Sequence, residues 1–270
     1  MLSLEDASIV SEIFSELASE TRCSILISLD KKPAKLSSIA RELDITSQDA
    51  FRNINRLVEA NLVRRGGGED STAFQLTELG MLATKHIPYF LVIKKHQKLF
   101  EDHTLKYIPN KFVQRIGALQ NCEVVENVTP VLERLKKLEY SAKQYLRIMV
   151  SQAWPEEGKI FAECAMNDID VWTIIGHNTI FPKEVIESVT PVLGELQKSG
   201  ILGKMLDTVS IAIYISDSQS AVMLPNMKGE VDMGMLLVGT EPSFNEWCLD
   251  LFNYFWERAG PASLDKAKIV

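Results

Sequence analysis

The sequence predicts a two-domain α/β protein: short helices and a hairpin over residues 1–84, a linker helix over 85–106, and an α/β domain with a mixed sheet over 107–270. Three observations carry this. Apolar residues recur at helical spacing as far as Ala60, apolar runs rich in β-branched residues alternate with helical stretches beyond Pro109, and 270 residues leave room for one large or two medium domains, near the length where a single core stops growing. A composition of 46% hydrophobic and 24% charged residues excludes collagen-like and largely disordered chains.

The net charge of -7 is unevenly spread: residues 1–100 carry 13 basic and 13 acidic side chains, and the remainder 16 and 23. A basic surface therefore belongs at the N-terminal end. Apolar runs such as Tyr89 to Ile93 fall far short of a membrane span, and Met1 is followed by acidic residues rather than a basic export signal. A cytoplasmic protein that does not contact membranes is expected. Cys23, Cys122, Cys164 and Cys248 form no CxxC pair, so free, buried thiols are expected, with neither a metal cage nor a cofactor.

Ile9, Val10, Ile13, Phe14, Leu17 and Ala18 form one helical stripe and Ile25, Leu26 and Leu29 a second, with a break near Ser19-Glu20-Thr21. Pro33 and its lysines predict a loop, Ser37 to Leu43 a short helix, and Asp44-Ile45 a turn. Thr46 is an N-cap for a helix to Ala60, with Asp49 favourable in its first turn. At 100° per residue Ala50, Ile54, Leu57 and Val58 point inward, while Gln48, Arg52 and Asn55 share the opposite face. Arg suits guanine, and Gln or Asn suits adenine, in a groove wide enough for one helix.

Leu62 to Arg65 and Thr72 to Leu76 read as strands joined by the flexible tip Gly66-Gly67-Gly68-Glu69-Asp70-Ser71. Short helix, turn, polar-faced helix and hairpin together make a winged helix-turn-helix. Arg64, Arg65, Ser71 and Thr72 are placed to reach phosphates, whereas Glu69 and Asp70 argue against insertion of the tip into a minor groove. The segments LASETRCSILISL, LSSIARELDITSQDAFRNINRLVEANLVRR and AFQLTELG resemble the ArsR-like winged-helix regulators over about 80 residues. The chain lacks the helical cysteine pair of metal-sensing members. It also carries Asn61 where such regulators typically have glycine, a mild change because Asn tolerates positive φ.

Thr77 can cap a helix through Leu79, Leu82 and Ala83, which Pro88 must kink or restart before Val92, Leu99 and Phe100. The apolar side of this linker, Tyr89, Phe90, Ile93 and Phe100, suits either a second copy or the chain's own C-terminal domain. His96-Gln97-Lys98 matches the HxK of phospholipase D-type hydrolases, but His103 stands where that signature has Asp, so a solvated polar face is expected.

Helices are expected at Lys111 to Leu119, Thr129 to Gln144, Pro182 to Lys198 and Phe244 to Ala259. Strands are expected at Tyr145 to Val150, Val171 to Ile175, Val209 to Ile215, and Met233 to Val238, with Ser220 to Leu224 completing a hairpin with Asp232 to Gly239. The order of HTLKYIPNKFVQRIGAL, VTPVLERLKKLEYSAKQYLRIMV, SIAIYISDSQSAVMLP and FNEWCLDLFNYFWERA is similar to the C-terminal domain of archaeal regulators of the methanogenesis-regulator type. That resemblance implies an archaeal transcription factor with an effector domain, and it transfers no ligand-binding residue.

No GxSxG, HExxH, GxxxxGK[ST] or GxGxxG occurs. His177, read as lying just past a strand, and the acids Asp168 and Asp170 are the only support for a catalytic C-terminal domain. Trp154, Trp172, His177, Met223 and Met235 are candidate ligand contacts, with Trp247, Trp256, Met205 and Met233 as further apolar lining. The expected function is a homodimeric, sequence-specific transcriptional regulator of double-stranded DNA whose C-terminal domain senses a small-molecule effector, and not an enzyme. The helix capped by Thr46 would enter the major groove, with Gln48, Arg52 and Asn55 on bases and Ser47, Arg56, Arg64 and Arg65 mainly on phosphates. A protein-interaction adaptor and, behind it, an enzyme with a winged-helix targeting module are the alternatives.

Overall fold

Short polar caps start four helices of the N-terminal region. Ser3 receives the Asp6 amide in a reciprocal capping box ahead of α1 (Leu4–Leu17), and Ser19 receives the Arg22 amide at 3.4 Å ahead of α2 (Glu20–Lys31). Thr46 receives the Asp49 amide at 3.0 Å ahead of α4 (Ser47–Glu59), and Thr77 the Gly80 amide at 3.0 Å ahead of α5 (Glu78–Lys85). The computed structural model describes residues 3–66, 72–189, 202–262 and 268–269. It divides into two units, Met1–Pro88 and Tyr89–Val270.

In the first unit, α3 (Leu36–Glu42) and α4 enclose a turn in which Asp44 has φ of 50°. The predicted loop at Pro33 instead yields β1 (Ala34–Lys35), which joins β2 (Val63–Arg65) and β3 (Ala73–Leu76) in the order β1-β3-β2. Ile25, Leu26, Ile39, Ile54 and Leu57 are fully buried. Val58, expected inward, is 40% exposed, because one 100° step beyond Leu57 carries it off the stripe. Asn61 takes the left-handed conformation with φ of 56°, which turns the chain from α4 into β2. The Leu62 carbonyl then accepts the Thr77 amide at 3.1 Å. A methyl group on Gly80 would lie 1.9 Å from that carbonyl oxygen, so α5 seats only with glycine there.

The second unit opens with α6 (Ile87–Lys95), which begins at the junction, and α7 (Gln97–Asp102); the expected single linker helix breaks at His96. Val92 and Leu99 join the C-terminal core, with Tyr89 and Phe100 packed against it. Gln97 and Lys98 are exposed as expected, whereas His96 is half-buried, 3.6 Å from the Cys122 sulfur. Desolvation lowers its pKa. The predicted helix at Lys111 is only α8 (Asn110–Val113), followed by a 3₁₀ turn at Ile116–Leu119. Next come β4 (Glu123–Glu126) and α9 (Val128–Tyr140).

Then β5 (Tyr145–Gln152), α10 (Glu157–Met166), β6 (Asp170–Phe181), α11 (Lys183–Val189) and β7 (Leu202–Leu206) form two parallel crossovers, with β6 between β5 and β7. The part of the expected 182–198 helix beyond Val189 lies outside the described residues. On the other side of β5 the sheet is antiparallel through β8 (Ala212–Ser216), β9 (Ser220–Met223), β10 (Met235–Gly239) and β4. The remaining elements are α12 (Pro242–Trp256), β11 (Gly260–Pro261), which pairs with β7, and β12 (Lys268–Ile269), which pairs with β6. All five residues of β8 are buried, because α9 and α12 both pack on that strand. The fold is thus a helix-turn-helix head and a mixed α/β unit.

Replacing Gly80 by Ala forces α5 off the Leu62 carbonyl and is expected to cost about 2 kcal/mol in urea unfolding. Gly260→Ala, with open space at that position, is expected to be near neutral.

Candidate nucleic-acid interface

The buried stripe of α4 fixes which side chains face outward. Thr46, Ser47, Gln48 and Arg52 are exposed and Asn55 is half-buried, so they share the outer face of α4 and its capped start. Thr46 also donates its hydroxyl to the Asp49 carboxylate at 2.7 Å, and Arg52 lies 3.0 Å from the other Asp49 oxygen in an exposed pair. Asp49 thus holds both groups near the first turn, where unpaired amides and the helix dipole favour an anion. Such a surface can hydrogen-bond phosphates from its start and base edges from Gln48, Arg52 and Asn55. Phe51, which sequence periodicity did not single out, is 46% exposed beside them.

Arg56 is engaged differently. Its guanidinium lies 2.7 Å from one oxygen of Glu16, and Arg22 lies 2.9 Å from the other. Glu16 is only 7% exposed, so it ties α1, α2 and α4 together. A single carboxylate at the end of an apolar stripe gives no sequence signal for this, since its partners stand 6 and 40 residues away.

In the wing, Arg64 and Arg65 are exposed on β2, and the Arg65 guanidinium sits 5.6 Å from the centre of the Phe74 ring. Gly66 donates its amide to the Ala73 carbonyl at 2.6 Å, closing the hairpin base, and Thr72 is exposed beside it. Ser71 and the tip Gly67 to Asp70 lie outside the described residues.

The C-terminal candidates differ in burial. Met223 is fully buried in the core with Trp247, Trp154 is 9% exposed, and Met235 is half-buried. Trp172 stacks on Trp256 at 4.7 Å, and the Arg147 guanidinium lies 4.3 Å from the centre of the Trp172 ring. His177 is inside β6 and not past its end. There the strand is irregular: Gly176 donates its amide to the Thr179 hydroxyl, and Asn178 exchanges hydrogen bonds with the Val209 backbone. His177 lies 3.8 Å from the fully exposed Asp207. Asp170 is 2.6 Å from Arg147 at the start of the strand, where it pairs with Tyr145, seven residues before His177. Asp168, with φ of 54°, belongs to the turn before it. The proposed acids are therefore not near that histidine.

Residues 17–66 match a family model described as a helix-turn-helix domain. No curated protein matches the chain. Among solved structures, TrmBL2, an archaeal chromatin protein described with a novel mode of DNA binding, is 9% identical, with 90% of this chain and 93% of that chain covered at a TM-score of 0.42. The homodimeric winged helix-turn-helix DNA-binding domain of Mb0332 from Mycobacterium bovis, a possible ArsR-family transcriptional regulator, is 19% identical, with 38% of this chain and 97% of that chain covered at 0.31. An O-methyltransferase family protein from Burkholderia thailandensis is 9% identical, with 78% and 65% covered at 0.29. Likeness at these scores extends no activity or partner to this chain. The head is a helix-turn-helix by the family match, and its β2–β3 hairpin makes it one of the winged kind.

Glu16→Ala leaves Arg22 without its buried counter-charge and releases Arg56. The variant is expected to lose about 2 kcal/mol in chemical unfolding.

Proposed function

We propose that the protein is a DNA-binding transcription regulator that works as a homodimer and whose C-terminal unit senses a small molecule. The observation that carries the reading is the outward face of α4, where Ser47, Gln48 and Arg52 stand exposed at a capped helix start within the matched helix-turn-helix segment. Gln48, Arg52 and Asn55 read bases; Thr46, Ser47, Arg64, Arg65 and Thr72 contact phosphates. Arg56 contributes charge from its ion pair with Glu16. One recognition helix covers one half-site, so two copies are needed for an operator. Leu4, Ile9 and Val10 on α1 and Leu82 on α5 are exposed apolar residues of the head and supply the pairing surface.

The test is anisotropy titration against duplex from the region upstream of the protein's own gene, at several salt concentrations with random duplex as competitor. Specific binding with a steep fall in log K against log salt is expected. Arg52→Ala is expected to weaken it by about tenfold or more and to relax base preference, while Arg64→Ala lowers the salt slope by about 1. Equal binding to both duplexes overturns the regulator reading and favours a winged helix that contacts protein. For the dimer, light scattering of Ile9→Glu/Leu82→Glu is expected to give monomer mass where the parent chain gives twice that mass.

A further inference from the structure

A groove in the C-terminal unit gathers cations and aromatic rings that the proposed DNA contacts do not use. Its volume is about 530 Å³, and Lys106, Tyr107, Leu206, Tyr254, Phe255 and Arg258 line it, a size common among small-molecule sites. Three segments meet there: the loop ahead of α8, the carboxyl end of β7, and the last turn of α12 with the residues just beyond it. Ligands of α/β sheets gather at the carboxyl ends of parallel strands, and β7 runs parallel to β6.

Arg258 is held in place by the chain itself. Its guanidinium carbon lies over the Tyr254 ring, 3.6 Å from the centre, and Nη1 donates to the Tyr254 carbonyl at 2.8 Å. Among the described residues Nε and Nη2 have no hydrogen-bond partner, and the exposed Glu257 lies 3.8 Å from Nη1. The Nε–Nη2 edge is therefore free, and its two donors have the spacing that pairs with two oxygens of a carboxylate or phosphate. Lys111 adds a second cation 4.8 Å from the centre of the Tyr254 ring. Lys106 is exposed and has no ion pair among the described residues. Tyr107 rests on the turn at Gly229, where φ is 84° and a methyl group would lie 2.4 Å from the Tyr107 hydroxyl oxygen. Two features oppose an anion: the C-terminal end of α12 and Asp207, a fully exposed groove residue. The helix end is covered, since the Trp256 carbonyl accepts from Lys204 at 2.9 Å and the Tyr254 carbonyl from Arg258. Asp207 is then the opposing charge.

We infer that this groove binds a small organic anion, a carboxylate or phosphate carried on an aromatic body. The oxyanion pairs with the free edge of Arg258 and with Lys106, and the body lies against Tyr107, Leu206 and Phe255. Charge and apolar surface are thus both required: the guanidinium edge and the ammonium select the head, while the rings and Leu206 select the body. The site gives the sensing role proposed above a ligand class, and so it rests on that reading for its regulatory meaning but not for the binding itself.

The test is calorimetry of the full chain with phenylacetate and phenyl phosphate as probes, beside benzyl alcohol, which has the ring without the charge, and inorganic phosphate, which has the charge without the ring. Saturable binding of at least one aromatic anion is expected, about tenfold or more tighter than either half-probe and weakening as salt rises. The tighter of the two anions names the head group. Arg258→Gln is expected to weaken that binding by about tenfold and Lys106→Ala several-fold. Asp207→Asn is expected to tighten it about twofold by removing the opposing charge, while Lys159→Gln on α10, outside the groove, leaves it unchanged. Thermal unfolding controls for the packing of Arg258 on Tyr254, and the Asp207 variant needs no such control because that side chain is fully exposed. No saturable heat with either aromatic anion overturns the inference. So does binding that Arg258→Gln and Asp207→Asn both leave unchanged, or a half-probe that binds as tightly as the anions. Binding of a probe without any effect on DNA affinity keeps the site and removes the sensing role; specific DNA binding without probe binding keeps the regulator and overturns the site.

Discussion

The head depends on one small junction, where the Leu62 carbonyl accepts the Thr77 amide against the close approach of Gly80. Three elements meet there. Asn61 ends α4 in a left-handed conformation, Leu62 starts the first wing strand, and Thr77 both closes the second strand and caps α5. The angle between the outward face of α4 and the wing arginines follows from that junction. Neither α4 nor the hairpin is long enough to hold its own position in isolation. Glu16 adds the second tie, since it fixes α1 against the helix that carries the proposed base-reading side chains.

The C-terminal unit rests on a different constraint. β5 has a parallel neighbour in β6 and an antiparallel one in β8, so the sheet changes character along that strand. Parallel crossovers need covering helices, and α10 packs on β6 in that role. α9 covers the antiparallel half through β8 and β4. The end of α9 and the start of α10 thereby carry the two buried glutamates, Glu139 and Glu157. A carboxyl group of this kind is costly to ionise in a core, so burial pushes its pKa up.

The legible parts of the candidate site were those with a local cause. Thr46 as a cap and the alternation of Ala50, Ile54 and Leu57 against Gln48 and Arg52 arise within a few residues and are read from spacing and residue type, whereas the left-handed turn at Asn61 follows from the resemblance to ArsR-like regulators. β1, β4, β7 and α10 were not read. β1 is two residues long and exists only by pairing with β3, and β4 lies at a sheet edge with three of its four residues exposed. His177 was misplaced because apolar spacing stops at Ile175, whereas β6 continues through a bulge stitched by Asn178 and Thr179.

From sequence alone followed the two-part architecture, the winged head, the outward chemistry of α4 and the mixed sheet, since each is encoded by periodicity, caps and turn residues within one element or its neighbour. Tertiary structure alone decided that Arg56 is held by Glu16, that the linker helix breaks and joins the C-terminal core, and that both oxygens of Glu139 and one of Glu157 are buried without a hydrogen-bond partner. The physical reason is range: a helical or strand period is written in consecutive residues, whereas the partner of a charge or the burial of a carboxylate depends on segments brought together only when the chain has folded.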